Sequence, residues 1–436
     1  MMGPFYFCSM SIPELYKIYQ QSGSVQTDTR KLKPGDLFFA LRGDHFNGNE
    51  FASVAIEGGA NYAVIDDAAF EIPGKTLLVE NALESLQQLA KYHREQFNIP
   101  FIAITGSNGK TTTKELVHAV LSSHFRTYTT EGNLNNHIGI PLTILKVKPD
   151  AEIAVIEMGA NHQKEIASYC RYTLPNYGLI TNCGKAHLEG FGGVEGVRKG
   201  KGELFDHLRK VNGTAFVMWD YDYLQEMSKG ISEIITYGTR EADLIGEAGK
   251  QEPFLTVNIK GRYTHGELPT NLVGDYNLPN VLAAVAIGEY FNVPEEKIFS
   301  SIGAYTPSNH RSQLVKQGSN RIILDAYNAN PSSMKLAIEN FMKIPGDNKI
   351  LMLGAMAELG EESLEEHKAI IELIKRSSWK YVALTGGDFQ KTDHPFLRFN
   401  NSVEAANWYR QQNFENMQFL IKGSRSMQME KIIAQP

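Results

Sequence analysis

The segment Thr105-Gly-Ser-Asn-Gly-Lys-Thr-Thr-Thr113 sets two glycines, a lysine and a row of hydroxyls in an order suited to holding a polyphosphate. Glycines let the backbone curl so that successive N–H groups converge on phosphate oxygens, and a helix begun there adds the positive end of its dipole. Lys110 would reach the terminal phosphates and Thr111 would offer its hydroxyl to Mg²⁺, with Gly106, Asn108, Gly109 and Thr112 completing the cradle. The ligand of such a loop is a nucleoside triphosphate. The loop departs from the common G-x-x-x-x-G-K-[ST] pattern, because Ile104 stands five positions before Gly109 and the nearest earlier glycine is Gly106. It is a shortened version. A glycine turn that only caps a helix is the alternative, and the apolar run Phe101-Ile-Ala-Ile-Thr105 directly before the loop favours the phosphate site.

Further chemistry must come from side chains that meet the loop at the carboxyl ends of neighbouring strands. Ile153-Ala-Val-Ile-Glu157 ends an apolar run on a carboxylate, suited to Mg²⁺ or, alternatively, to a salt bridge at the strand end. Past the run Gly178 to Thr181 comes His187, a second candidate metal ligand or a structural histidine. Arg198-Lys-Gly-Lys201 is a basic cluster that begins a helix, and a solvated helix face is its plainer reading.

These residues need a scaffold, and the text supplies a strand-helix rhythm. Asp36 to Ala40 and Ala63 to Ile65 read as extended, and Ala82 to Phe97 places Leu83, Leu86, Leu89, Ala90 and Phe97 near one helical face. Strands at Phe101–Thr105, Ile153–Ile156 and Gly178–Thr181, separated by helical stretches such as Thr111 to Leu121, predict a parallel sheet with crossovers. From Asp243 to Val273 short alternating runs predict an antiparallel flap or edge addition. An alanine-rich helix over Leu278 to Phe291 precedes a linker at Thr306-Pro-Ser-Asn309. The rhythm resumes at Arg321–Asp325, Lys349–Leu353, Tyr381–Thr385 and Phe419–Ile421, which predicts a separate doubly wound, Rossmann-like domain. The fold class is α/β, with domains expected over 1–98, 99–307 and 308–436.

The bulk properties agree. A chain of 436 residues, at about 150 per domain, suits three domains. With 42% apolar and 21% charged residues it is an ordinary globular composition, neither disordered nor fibrous. A net charge of −6 argues against a general nucleic-acid coat. No apolar run reaches the roughly 18 residues of a membrane span, and the opening Met1 to Ile12 lacks the plan of a secretion signal. Cys8, Cys170 and Cys183 are too scattered for a disulfide framework or zinc site. A cytoplasmic protein is expected, with no membrane insertion, no nucleic-acid partner and no sign of oligomerisation.

Order and spacing of several motifs resemble the ATP-dependent Mur ligases of peptidoglycan synthesis. The shortened loop Gly106 to Thr112 is similar to theirs, as is Thr130-Glu-Gly-Asn-Leu-Asn-Asn-His-Ile-Gly-Ile-Pro141. Ala186-His-Leu-Glu-Gly-Phe191, Lys201-Gly-Glu-Leu-Phe205, Asp325-Ala-Tyr-Asn-Ala-Asn-Pro331, Ala355-Met-Ala-Glu-Leu-Gly360 and Lys422-Gly-Ser-Arg425 look most like the branch that adds D-alanyl-D-alanine to UDP-N-acetylmuramoyl-tripeptide. The resemblance covers nearly the whole chain. It implies an N-terminal domain for the UDP end of the substrate, a central ATPase domain, and a C-terminal domain that closes over the site and takes the dipeptide.

Carried residue by residue, the resemblance gives Lys110 to the phosphates, Thr111 and Glu157 to one magnesium and His187 to a second. Lys201 matches the family's carbamylated lysine: an ammonium cannot ligate Mg²⁺, whereas a neutral amine among cations can take up CO₂ and become an anionic ligand. Thr27, Asp28 and Arg30, with Phe39 to Asn49, are similar to the uridine-recognition segments, although Asn47 and Asn49 stand where many relatives carry acids or histidine. Asn133 and Asn136 fall in the substrate-binding segment. Gly274 to Asn280 resembles the adenine segment, with Asp275 and Tyr276 in place of the commoner arginine and histidine, and Asn277 and Asn280 retained. Arg311, Asp325 and Tyr327 are implied for ATP, and Asn328, Asn330, Lys422 and Ser424 for the dipeptide; a turn packed on a strand end is the alternative for Asn328 to Pro331. Competing activities are a single-amino-acid ligase of the Mur or folylpolyglutamate synthase type, and a nucleotide-hydrolysing regulatory module.

Overall fold

The computed structural model describes residues 10–251, 253–308 and 310–434. Cys8, most of the opening segment and Asn309 of the expected linker lie outside the described residues. The chain divides into two compact units: residues up to 103 with 125–159 and 165–176, and residues 104–124 with 160–164 and 177 onward.

In the first unit the short strands Val25–Gln26, Leu37–Phe39, Tyr62–Ile65 and Thr76–Leu78 lie side by side in that order, all parallel. Phe38, Ala40, Ala63 and Ile65 pack on Ala52, Ala55 and Ala60. The helix Ala82–Arg94 starts where Asn81 accepts the Glu84 N–H at 2.9 Å, and it buries Leu86, Leu89 and Ala90. It stops short of the expected Phe97, and Arg94 turns inward. Its guanidinium donates to the carbonyls of Phe97, Thr173 and Leu174 at 2.8–3.1 Å and lies 3.8 Å from the Phe101 ring centre. The carbonyls left over at the end of the helix Glu165–Thr173 are what this buried cation satisfies. Burial lowers its pKa to about 10, so it stays charged at neutral pH. The same unit carries the parallel pair Thr127–Thr129 and Ile153–Glu157.

The strand Phe101–Thr105 passes from the first unit into the second at Ile104. In the second unit Tyr177–Ile180, Thr214–Met218, Glu233–Gly238 and Leu244–Gln251 are successive parallel neighbours. Phe254–Lys260 and His265–Val273 then fold back antiparallel, so the alternating text from Asp243 is an edge addition. The helix Leu278–Tyr290 is buried on almost every side, which is why its sequence lacks a polar face.

The last sheet has the order Gln313–Gln317, Asn320–Asp325, Gln418–Lys422, Lys349–Gly354, Tyr381–Thr385, Leu397–Phe399. All neighbours are parallel except the first pair. The strand order doubles back around Gln418–Lys422, as a doubly wound sheet requires, and Asp325 pairs in register with Lys422 at the carboxyl ends where such folds bind ligands.

Candidate active site

The wholly buried strand Phe101–Thr105 delivers the phosphate loop at its carboxyl end. Gly106 (φ 144°) and Gly109 (φ 79°) take backbone angles that favour glycine. Space demands it too: a Cβ on Gly106 would lie 2.0 Å from Thr181 Oγ1, and one on Gly109 2.5 Å from Asn280 Oδ1. The end of the next strand pins the loop. Ser107 N–H donates to the Asn182 carbonyl at 2.9 Å and Asn108 N–H to Asn182 Oδ1 at 3.1 Å, while Thr181 Oγ1 and Asn182 Nδ2 donate to the Asn108 carbonyl at 2.6 and 3.1 Å. Sequence reasoning passed over Thr181 and Asn182; their place at the close of a buried run was the available signal.

The helix Lys110–Ser122 follows at once. Lys110 Nζ folds back to donate to the carbonyls of Gly106 (2.6 Å) and Ser107 (3.2 Å), which keeps the ammonium at the loop. Thr111 is buried in the first turn and Thr112 half-buried. Thr113 Oγ1 donates to Asn280 Oδ1 at 3.0 Å, Asn280 Nδ2 to Asn277 Oδ1 at 2.9 Å, and Asn277 Nδ2 to the Val273 carbonyl at 2.9 Å. Asn277 and Asn280 thus sit in a buried amide chain tied to the helix that carries Lys110.

The helix Val194–Val211 begins before Arg198, not at it, and turns Lys201 inward. At 1% exposure Lys201 is no part of a solvated face. Its Nζ donates to the Ala160 carbonyl at 2.9 Å and lies 5.0 Å from the Phe191 ring centre. Gly200 makes room, since a Cβ there would lie 2.4 Å from that ring. His187 precedes the short helix Leu188–Phe191 at φ 53°, with Nδ1 2.5 Å from Glu358 Oε2. The His187 imidazole beside it holds the Glu358 carboxyl below the usual carboxylate range, although the Glu358 side chain is 52% exposed. Glu358 gives no signal in the sequence beyond its place in Ala355–Gly360.

From the last sheet, Asn330 caps the helix Pro331–Lys343 by accepting the Ser333 N–H at 2.9 Å, and its Nδ2 donates to Asn108 Oδ1 at 2.7 Å. Lys185 N–H donates to Ser332 Oγ at 3.0 Å, and the Lys185 ammonium pairs with Glu366. Lys422, fully buried, binds Asp325 Oδ2 at 2.5 Å and the Asn328 carbonyl at 3.2 Å, and Asp325 also accepts the Ser312 N–H at 3.1 Å. The Arg311 guanidinium stacks 3.6 Å from the Tyr327 ring centre. Buried Ser424 donates to the Ala355 carbonyl at 2.6 Å, and the Asn328 side chain, exposed, accepts the Ala329 N–H.

Asn330 separates the cap from the loop contact. Asn330→Asp keeps the capping oxygen but loses the donor to Asn108, so the melting temperature should hold while KM for ATP or dipeptide rises about tenfold, roughly the worth of one hydrogen bond. Steady-state kinetics beside thermal denaturation would show the split.

His367, fully buried, accepts the Met356 N–H on Nε2 at 3.1 Å and lies 2.7 Å from the Ser363 carbonyl through Nδ1. Burial lowers its pKa, so the folded state favours neutral imidazole. Its contribution is therefore complete above the ordinary value of 6.5 and is lost as pH falls below it, where the unfolded chain takes up the proton first. Buried His93 shifts the same way. The melting temperature should drop between pH 7 and pH 5, and less steeply in His367→Gln.

In the first unit, Glu157 ends its strand at 1% exposure, its Oε1 accepting from Asn135 Nδ2 at 2.7 Å and its N–H donating to Thr130 Oγ1 at 2.9 Å. Asn135, which sequence reasoning passed over, makes that contact; Asn136 instead accepts the Gly139 N–H at 2.9 Å at the start of the helix Gly139–Ile144, and Asn133 is exposed. Asp28 grips Arg30 in a two-pronged pair at 2.8 Å, which holds its pKa at about 2, and Thr27 beside it is half-buried. Asn49, buried, bridges Asn47 and Asp66 at 2.8 Å.

Three family models match in chain order: the Mur ligase family catalytic domain over residues 23–97, the Mur ligase middle domain over 104–288, and the Mur ligase glutamate ligase domain over 310–425. A Bacillus subtilis relative named UDP-N-acetylmuramoyl-tripeptide–D-alanyl-D-alanine ligase is 37% identical over 349 residues, 79% of this chain and 76% of its own. The chain belongs to the Mur ligase family. This Mur ligase is an ATP-dependent amide ligase. The Escherichia coli relative of the same name is 34% identical over 433 residues, covering 94% of this chain and 92% of its own. A MurF crystal structure from Acinetobacter baumannii matches with a TM-score of 0.86 at 28% identity, over 97% of this chain and 98% of that one. Among the described residues of this Mur ligase, no helix is long and apolar enough to cross a membrane.

Proposed function

We propose that this Mur ligase joins D-alanyl-D-alanine to the terminal carboxylate of a UDP-N-acetylmuramoyl-tripeptide, with cleavage of ATP to ADP and phosphate. Relatives from Bacillus subtilis and Escherichia coli carry that activity in their names. The observation that carries the reading is the 2.7 Å bond from Asn330 to Asn108, because it supports meeting of the dipeptide-side segment Tyr327-Asn-Ala-Asn330 with the phosphate loop.

A carboxylate does not react with an amine in neutral water, because its oxygen leaves poorly. Transfer of the γ-phosphoryl group to it gives an acyl phosphate; the free amine of the dipeptide attacks the acyl carbon, loses a proton, and phosphate departs as the tetrahedral intermediate collapses to the amide. Lys110 binds the phosphates and offsets charge on the transferred group. Residues 308–436 act as a closing domain that keeps water from the acyl phosphate, while 1–98 binds the uridine end through Thr27, Asp28 and Arg30 and 99–307 binds ATP. Arg311, Asp325 and Tyr327 face the nucleotide, Asn277 and Asn280 its adenine side, Asn133 and Asn136 the tripeptide, and Asn328, Asn330, Lys422 and Ser424 the dipeptide.

The donors fit magnesium, a hard cation that takes oxygen ligands: a buried carboxylate at Glu157 and a buried hydroxyl at Thr111. Among the described residues no three His, Cys, Asp or Glu side chains gather as a metal site. Lys201, buried at 1% exposure, would serve as an anionic ligand in the form of a carbamate, with His187 as a further ligand. Magnesium held by these residues would offset charge on the phosphate oxygens. The cytoplasm, where ATP and UDP-linked precursors are present, is its place of work.

The test measures phosphate release and product mass with UDP-tripeptide, ATP and D-alanyl-D-alanine, against single amino acids. The expected product carries both alanines; no turnover with the dipeptide rejects the reading.

A further inference from the structure

We propose that Glu358 is a positioning residue for His187, so that a metal site using this imidazole is completed by the loop Ala355–Gly360 of the C-terminal region. The inference rests on the reading of His187 as a magnesium ligand.

An imidazole that ligates through one nitrogen is oriented by what its other nitrogen meets, most often a carboxylate or a carbonyl. Glu358 Oε2, on a side chain 52% exposed, lies 2.5 Å from the buried His187 Nδ1, and this pairing leaves Nε2 for a ligand. Both residues sit in the left-handed region, His187 at φ 53° and Glu358 at φ 61°, a conformation that costs energy for side chains of this size. The loop around Glu358 is held at three further points: Met356 N–H on His367 Nε2 at 3.1 Å, Ser424 Oγ on the Ala355 carbonyl at 2.6 Å, and Glu189 N–H on the Glu358 carbonyl at 3.5 Å. The carboxylate is therefore presented by a fixed loop.

The experiment titrates Mn²⁺ into the full-length protein with a non-hydrolysable ATP analogue, reading bound metal by electron paramagnetic resonance and directly bound nitrogen by spin-echo modulation. The wild type should show one nitrogen-coupled ion. Glu358→Ala should weaken that ion about ten- to a hundredfold, Glu358→Gln, which keeps an acceptor oxygen, should fall between, and the nitrogen-free ion should be unchanged in both. Thermal denaturation reports folding, and Glu358→Gln carries the test if Glu358→Ala unfolds. Wild-type affinity and modulation in the Glu358 variants, with modulation lost in His187→Ala, overturns the role of Glu358 alone. Modulation that survives His187→Ala overturns the metal reading of His187 and this inference with it.

Discussion

Replacing Lys110 with methionine should lower the rate of ADP formation about 10³-fold and leave the melting temperature almost unmoved. Methionine keeps most of the stem and its packing but removes the charge. In the folded protein the Nζ donates to backbone carbonyls of its own loop, Gly106 and Ser107, and the side chain is half-buried. At a half-buried position water can take up those two carbonyls, so their loss costs little stability. The transferred phosphoryl group is another matter: a preorganised cation beside it is worth roughly 3–4 kcal/mol of barrier, about the loss seen when one donor is removed from a site that stabilises developing charge. A coupled assay for ADP, run beside thermal denaturation, separates the two. A rate within tenfold of the wild type would remove Lys110 from the chemistry, and a large drop in melting temperature would recast it as a structural residue.

The asymmetry between function and stability at Lys110 follows from where the loop sits, and that placement was legible. Phe101 to Thr105 is apolar throughout, stops at a glycine and gives way to a helical pattern, so strand, loop and helix could be read in order. The strands at Asn320–Asp325, Lys349–Gly354, Tyr381–Thr385 and Gln418–Lys422 announced themselves for the same reason: buried on both faces, they are written as apolar runs. Edge strands are not. Gln313–Gln317 and Leu397–Phe399 lie half in water and mix polar with apolar residues, so nothing in their text separates them from loops. Thr214–Met218 was passed over although fully buried, because its run is brief and follows directly on a long charged helix. Within the site, motif spacing marked the residues that meet a ligand, whereas their supports escaped: Asn182 behind the loop, Asn135 beside Glu157 and Glu358 against His187 act through contacts distant in sequence. A local pattern carries no record of such partners. Arg94 shows the limit most plainly, since a charged residue at a helix end reads as solvated until the carbonyls it satisfies, from a segment 79 residues away, are known.

Lys201 offers the second large effect, and the choice of substituent decides what it means. Lys201→Met should reduce ligation about 10³-fold, in line with loss of a group that clamps charge on a transferring phosphoryl. That result alone would not distinguish a carbamate from a buried cation, because methionine removes both. Lys201→Arg does distinguish them. Arginine keeps the positive charge, yet its guanidinium is never neutral near pH 7 and cannot add CO₂. A carbamate forms when the neutral amine attacks CO₂ and a proton leaves, which turns a cation into an anion at a position where the side chain is only 1% exposed. Arginine should therefore be as inactive as methionine. Wild-type enzyme held in CO₂-free buffer should lose rate and regain it on addition of bicarbonate, and neither variant should respond. Carbon-13 bicarbonate should give a protein-bound carbamate resonance in the wild type alone. Were Lys201→Arg to keep more than about a tenth of the wild-type rate, less than about 1.4 kcal/mol of barrier would depend on the modification. Lys201 would then serve as a buried cation near Phe191 and Ala160, and a second metal would have to find its anionic ligand elsewhere.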